Sequence, residues 1–164
     1  MEYINLSRLV DGEALPFESV AFEKGLVLNT NITSNIGVVG NSAQLKQIVS
    51  ILLDNAIRHS KEQGEVWLTL TKEHGIAKLS VVNKGDEITE EQRTKIFERF
   101  YRVDTARNSE DNHYGLGLAI AKVIVASHKG QILILRKTRL LSNSAKQHSE
   151  DQYQEAEWCE HVFS

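Results

Sequence analysis

At 164 residues with 41% hydrophobic composition, the chain can bury one ordinary core and reads as a single domain. A net charge of −3 with 25% charged residues gives no electrostatic reason to expect nucleic acid or an anionic membrane surface as a partner. The lone cysteine, Cys159, excludes an internal disulfide, and no apolar run reaches the roughly 20 residues of a membrane span.

In chain order, Leu6, Leu9, Val10, Phe17 and Ala21 recur at helical spacing, with Asn5 placed to cap them and Pro16 expected to kink or divide the helix. Two short strand-like segments follow at 26–30 and 36–39. Asn41 or Ser42 can cap a second helix, whose positions Leu45, Ile48, Val49, Leu52, Leu53, Ala56 and Ile57 make an apolar stripe three turns long. Val66, Leu68 and Leu70 alternate with Trp67, Thr69 and Thr71, and Glu73-His74-Gly75 turns this strand back into another at 76–82. A short helix at 89–100 precedes a polar loop from Asp104 to His113. Leu116, Ala119, Ile120, Val123 and Ile124 mark a further helix, ending near Gly130 in a left-handed cap, before the buried strand QILIL at 131–135. The hairpin rules out a purely parallel sheet. The predicted fold is α+β, a two-layer α/β sandwich with one mixed sheet and helices on one face.

Four polar or glycine-rich signals stand at the edges of these elements: ILLDNAIRH (51–59), VVNKGDEI (81–88), IFERFYRVD (96–104) and YGLGLAIAK (114–122). Asn55 flanks the apolar stripe of its helix and shares that edge with Ile51, Arg58 and His59. Its carbonyl oxygen can serve a hard cation, Arg58 can face phosphate oxygens and His59 can lie against a base. Taken alone, a solvated surface trio is the plainer account. Gly115 and Gly117 stand where a helix starts, and unbonded N–H groups with the positive end of the dipole favour an anion there. A flexible turn would explain the same pair. Asn83 ends a strand and can pair with the edge of a base, donating and accepting together, although turn asparagines are equally common. Phe97, Phe100 and Tyr101 with Arg99 and Arg102 fit a helix core with solvated charges, or an aromatic anchor with a cationic phosphate contact.

Together, in this order, the four segments resemble the N, G1, F and G2 boxes of the ATP-binding catalytic domain of sensor histidine kinases, within the gyrase–Hsp90–histidine kinase–MutL group of ATPases. HKGQI at 128–132 is similar to the strand that usually follows, and the resemblance covers about residues 5–135. It implies a Bergerat-type fold and ATP with Mg²⁺ as cofactors. It makes Asn55 the magnesium ligand and Arg58 a triphosphate contact, the two residues nearest the chemistry. Asn83 would meet the adenine amino group, Gly85 would admit the base, and 104–114 would form a lid over the nucleotide. His59, Ile88, Tyr101, Arg102, Tyr114, Gly115, Leu116, Gly117 and Leu118 complete the expected nucleotide-binding set. Two departures stand out. The base-reading position is usually aspartate and here is Asn83, which implies weakened or retuned binding; Glu87 replaces the usual second glycine of its box.

Ile51 bears on the reaction. Relatives that hydrolyse ATP or phosphorylate serine carry a glutamate there as general base. An apolar side chain cannot accept a proton, whereas a neutral imidazole near pH 7 needs no activation. Transfer of the γ-phosphoryl group to histidine is therefore expected, in preference to a free-standing ATPase or serine kinase. None of the six histidines sits in the helical His-Glu/Asp context of an acceptor. The expected partner is a separate dimerisation and phosphotransfer domain, with a response regulator involved indirectly. A degenerate module that senses ATP or ADP without catalysis is the alternative. The start, MEYINLSRLVDGE, lacks the basic and apolar segments of a signal peptide. A soluble cytoplasmic piece of a longer, membrane-anchored sensor is expected.

Composition changes near residue 140. Residues 141–164 hold five acidic side chains against Lys146, which leaves 18 basic and 17 acidic residues in 1–140. Residues 136–164 contain no glycine and only scattered apolar groups, where the family usually closes on a glycine turn and an apolar strand. The expectation is a catalytic domain over 1–140 and an atypical acidic tail over 141–164, disordered or non-native, or else a substitute strand at Trp158–Phe163.

Overall fold

The computed structural model describes residues 1–60, 63–84, 116–139 and 149–159. Strand β1 (Glu2–Asn5) leads directly into helix α1 (Leu6–Glu23), where the Asn5 side chain accepts from the Arg8 N–H as an N-cap. Pro16 does not divide this helix. Pro16 and Gly12, whose carbonyl the proline leaves without its usual partner, both lie on the exposed face, where water can serve instead. Leu6, Leu9, Val10, Ala14 and Ala21 turn inward. At the far end, Gly25 N–H donates to Phe22 O and Leu26 N–H to Ala21 O, the paired bonds of a Schellman cap.

Strand β2 (Val27–Ile32) and strand β3 (Gly37–Gly40) fall where the alternating segments predict, but in different sheets. β3 pairs antiparallel with β1 in a two-stranded ribbon. Buried Ser7 joins α1 to the turn between β2 and β3: its hydroxyl donates to Thr33 O (2.6 Å) and accepts from Ile36 N–H (2.9 Å).

Helix α2 (Ser42–His59) is capped by Asn41, whose side chain accepts from Gln44 N–H at 3.0 Å. All seven residues of its predicted apolar stripe are buried. Strands β4 (Glu65–Glu73) and β5 (Ile76–Lys84) form the expected hairpin. His74 and Gly75 both take positive φ, 51° and 77°, as a two-residue type I′ turn requires; glycine adopts this at no steric cost. Helix α3 (Gly117–Ser127) ends in another Schellman cap, with Lys129 N–H to Ala126 O and Gly130 N–H to Val125 O. The left-handed residue is Lys129 (φ 56°), one position before the glycine that the sequence suggests.

Strands β6 (Gln131–Arg139) and β7 (Ser149–Cys159) complete a mixed five-stranded sheet in the order β2-β4-β5-β7-β6. β2 and β4 run parallel, and every other pair is antiparallel. β7 differs from the expectation for 141–164. It lies inside the sheet and begins at Ser149, nine residues before the suggested Trp158–Phe163, with backbone pairing on both sides. Two full hydrogen-bond ladders do not depend on apolar alternation, which is why a polar segment can serve here. The helix predicted at 89–100 and the loop at 104–113 lie outside the described residues.

The helices pack with the sheet around one core. Val66, Leu68 and Leu70 of β4 and Ala77, Leu79 and Val81 of β5 all have no exposed surface, and they meet the α2 stripe. No described helix is long and apolar enough to cross a membrane.

Candidate functional site

The described candidate residues stand on three elements, and α2 packs against both of the others, α3 and β5. On α2, Ile51, Asp54, Asn55 and Arg58 are half-buried and His59 is exposed, in keeping with an edge between core and solvent. The Arg58 guanidinium donates from Nη2 to Asp54 Oδ2 at 3.0 Å. This i, i+4 pair follows from helical spacing, and Asp54 is a neighbour that motif reasoning overlooks.

The last turn of α2 is held from outside. Lys24, just past the end of α1, donates its ammonium to Ile57 O and Arg58 O, both at 2.7 Å. A cation thus meets two of the helix's terminal carbonyls and faces the negative end of the dipole. Nothing in the local sequence around Lys24 signals this contact, because it bridges more than thirty residues.

The start of α3 meets the same edge of α2. A methyl group added to Gly117 would lie 3.4 Å from Ile51 Cγ2, one turn before Asn55. Leu116 precedes the helix and gives it no side-chain cap. The first-turn N–H groups, those of Gly117, Leu118 and Ala119, therefore have no side-chain capping acceptor among the described residues. Leu118 is buried, whereas Leu116 and Gly117 are half-buried.

The far end of α3 is also fixed to α2. Buried His128 accepts the Asn41 N–H at Nε2 (3.0 Å) and places Nδ1 2.8 Å from Ile124 O, so the proton belongs on Nδ1. Gly40 makes room for that ring: a Cβ there would come within 2.9 Å of His128 Cδ2 and of Leu45 Cδ1. In the sequence, His128 stands in the HKGQI segment and among the six histidines that lack an acceptor context, whereas in the structure it is a buried tie between helices.

Asn83 is the polar member of the inward face of β5. It is 0% exposed, and neither Nδ2 nor Oδ1 has a hydrogen-bond partner among the described residues. Of the remaining expected site residues, Gly85, Ile88, Tyr101, Arg102, Tyr114 and Gly115 lie outside the described residues.

The described residues contain no cluster of three or more His, Cys, Asp or Glu side chains able to hold a metal ion. A divalent cation at Asn55 would need most of its oxygen ligands from a bound phosphate chain and water. That suits Mg²⁺, which keeps several waters and takes few protein ligands.

A family model described as "Histidine kinase-, DNA gyrase B-, and HSP90-like ATPase" matches residues 40–155. The chain belongs to this family. Within it, the sensor protein DltS of Streptococcus agalactiae is 40% identical over 129 residues, covering 79% of this chain and 32% of the relative. The sensor histidine kinase RppB of Synechocystis is 36% identical over 130 residues, covering 79% and 29%. The chain thus spans about a third of the length of these curated relatives. Among solved structures, the catalytic domain of histidine kinase ThkA aligns with a TM-score of 0.77 at 24% identity, covering 98% of this chain and 97% of that one. The mycobacterial sensor histidine kinase MprB gives 0.75 at 24%, covering 96% and 97%. These two likenesses establish the fold, the Bergerat type expected from the boxes. The family match begins at the end of β3 and runs into β7, across residue 140.

Proposed function

We propose that this chain is the ATP-binding catalytic domain of a two-component sensor histidine kinase. It transfers the γ-phosphoryl group of ATP to a histidine on a separate dimerisation domain. The observation that carries this reading is the meeting of the Asn55 edge of α2 with the Gly117 start of α3, at Ile51. A polar helix edge and an uncapped helix start facing one region suit a polyphosphate and its counter-ion.

In this reading Asn55 presents its amide oxygen to Mg²⁺, which neutralises phosphate charge when bound. Arg58 contacts the triphosphate, His59 lies beside the nucleotide, and the N–H groups of Gly117 and Leu118 face phosphate oxygens. Asn83 meets the base, and Gly85, Ile88, Tyr101, Arg102, Tyr114, Gly115 and Leu116 line the rest of the pocket. Phosphoryl transfer is mainly positioning and charge neutralisation, so these contacts are the bulk of the chemistry required of the domain. Ile51 keeps a proton acceptor away from the phosphate end, which leaves water unactivated and reserves the phosphoryl group for an imidazole. The partners that follow are the dimerisation domain and, through it, a response regulator, with the domain placed in the cytoplasm as part of a longer sensor.

Mixing the chain with the purified dimerisation domain of its own protein and labelled ATP should put acid-labile phosphate on that domain. ATP binding without transfer would defeat the kinase reading. Asn55→Ala should abolish the magnesium-dependent part of ATP affinity while circular dichroism stays native; unchanged affinity would remove Asn55 from the site.

A further inference from the structure

Asn83 sits in the apolar face of β5, four residues after Leu79 and two after Val81, both fully buried. Its register partner on β4 is Val66, also fully buried. A buried carboxamide whose donor and acceptor both lack a partner among the described residues is uncommon in native interiors, where buried polar groups nearly always find partners. A ligand that pairs with this group would supply the donor and acceptor that the described residues do not.

We infer that Asn83 reads the 6-position of a purine in either hydrogen-bond polarity, so that the site accepts hypoxanthine and guanine nucleotides alongside adenine. The inference rests on the nucleotide-binding reading above and refines it. A carboxylate at this position would offer acceptors only, and would pair with the adenine 6-amino group while repelling a 6-oxo group. A carboxamide carries one acceptor and one donor side by side. In one orientation Oδ1 accepts from the adenine N6–H and Nδ2 donates to a ring nitrogen, a pairing asparagine commonly makes with adenine. Turned over about χ2, a broad and nearly two-fold torsion, Nδ2 donates to O6 and Oδ1 accepts from N1–H of hypoxanthine or guanine. Among the described side chains on this face, those of Val66, Val81 and Leu79 offer no polar atom that would bias the amide toward one orientation. Hypoxanthine is the cleaner case, since guanine adds a 2-amino group that must also be housed.

Calorimetric titration of the chain with ADP, IDP and GDP, each with magnesium, tests this. The wild type should bind IDP within about tenfold of ADP, because either orientation makes two hydrogen bonds. Asn83→Asp should widen the ADP preference over IDP by roughly 10- to 100-fold, the usual span for mispairing one bidentate contact. A wild-type preference for ADP above about 100-fold would overturn the inference and leave the nucleotide site intact. Failure to bind any of the three would defeat the nucleotide reading as well. Should Asn83→Asp not fold, the wild-type ADP-to-IDP ratio decides the question by itself.

Discussion

Replacing Asn83 with leucine separates stability from function, because the side chain is in the core without contributing to it. Leucine has the same branching at Cγ and removes two buried polar groups that have no partner among the described residues. Each such group costs about 1–3 kcal/mol. Leucine's larger volume returns part of the gain, since overpacking costs about 1–3 kcal/mol. A net stabilisation of about 2 kcal/mol is expected, which for a chain of this size raises Tm by roughly 4–8 °C. The assay is thermal unfolding in the absence of nucleotide, paired with ADP titration, which should show binding lost. Leu79→Ala, on the same face of β5, serves as the control and should cost about 2–5 kcal/mol, as ordinary core truncation does. A less stable Asn83→Leu protein, or one that still binds ADP normally, would refute the reasoning.

Other consequences concern the ties around α2. Lys24→Met keeps the aliphatic stem but leaves Ile57 O and Arg58 O without their cation; a loss of about 1–2 kcal/mol is expected in urea unfolding, and an unchanged midpoint would mean water serves those carbonyls equally well. His128→Leu removes the partner of the Asn41 N–H, a partly buried bond, and should destabilise by about 1–2 kcal/mol, with faster hydrogen exchange at Asn41 as the specific signature. Gly40→Ala pushes a methyl group against His128 and Leu45 and should cost about 1–3 kcal/mol; combined with His128→Ala the penalty should shrink, and strict additivity would show that the ring is not the obstacle. Asp54→Asn removes a partly exposed ion pair and should change stability by no more than about 0.5 kcal/mol, as measured by thermal unfolding.

Local periodicity made α2 legible, since every residue of its stripe proved buried, and the same holds for the alternation and tight turn of the β4–β5 hairpin. Pro16 shows where a local rule depends on context: a proline whose orphaned carbonyl faces water does not end a helix. What remained hidden depends on pairings between distant segments. The separation of β2 and β3 into different sheets, the Lys24 cap and the His128–Asn41 bond all join residues that no window of sequence contains together. β7 was hidden for another reason. Reading strands from side-chain alternation misses a segment whose place is fixed by backbone pairing on both edges. At the site, the motif order singled out Asn83, but only the structure shows both of its polar atoms buried without a partner among the described residues.

Helix α2 is the element on which the proposed site depends, and its fastening is distributed along its whole length. At its N-terminal cap, the Asn41 N–H is held by His128 from the end of α3; at its middle, Ile51 abuts the beginning of α3; at its C-terminus, Lys24 holds the last carbonyls. Two of these three contacts come from α3, one at each end, so α3 cannot slide or pivot along α2 without breaking the Asn41–His128 hydrogen bond or driving Gly117 away from Ile51. The uncapped N–H groups at the start of α3 are thereby fixed relative to Asn55, although nothing joins them covalently within fifty residues. Fixing donors before an anion arrives removes part of the ordering cost of binding it. This arrangement also explains why a helix start with no side-chain cap is tolerable: packing at both ends supplies the stability that a side-chain cap would otherwise contribute.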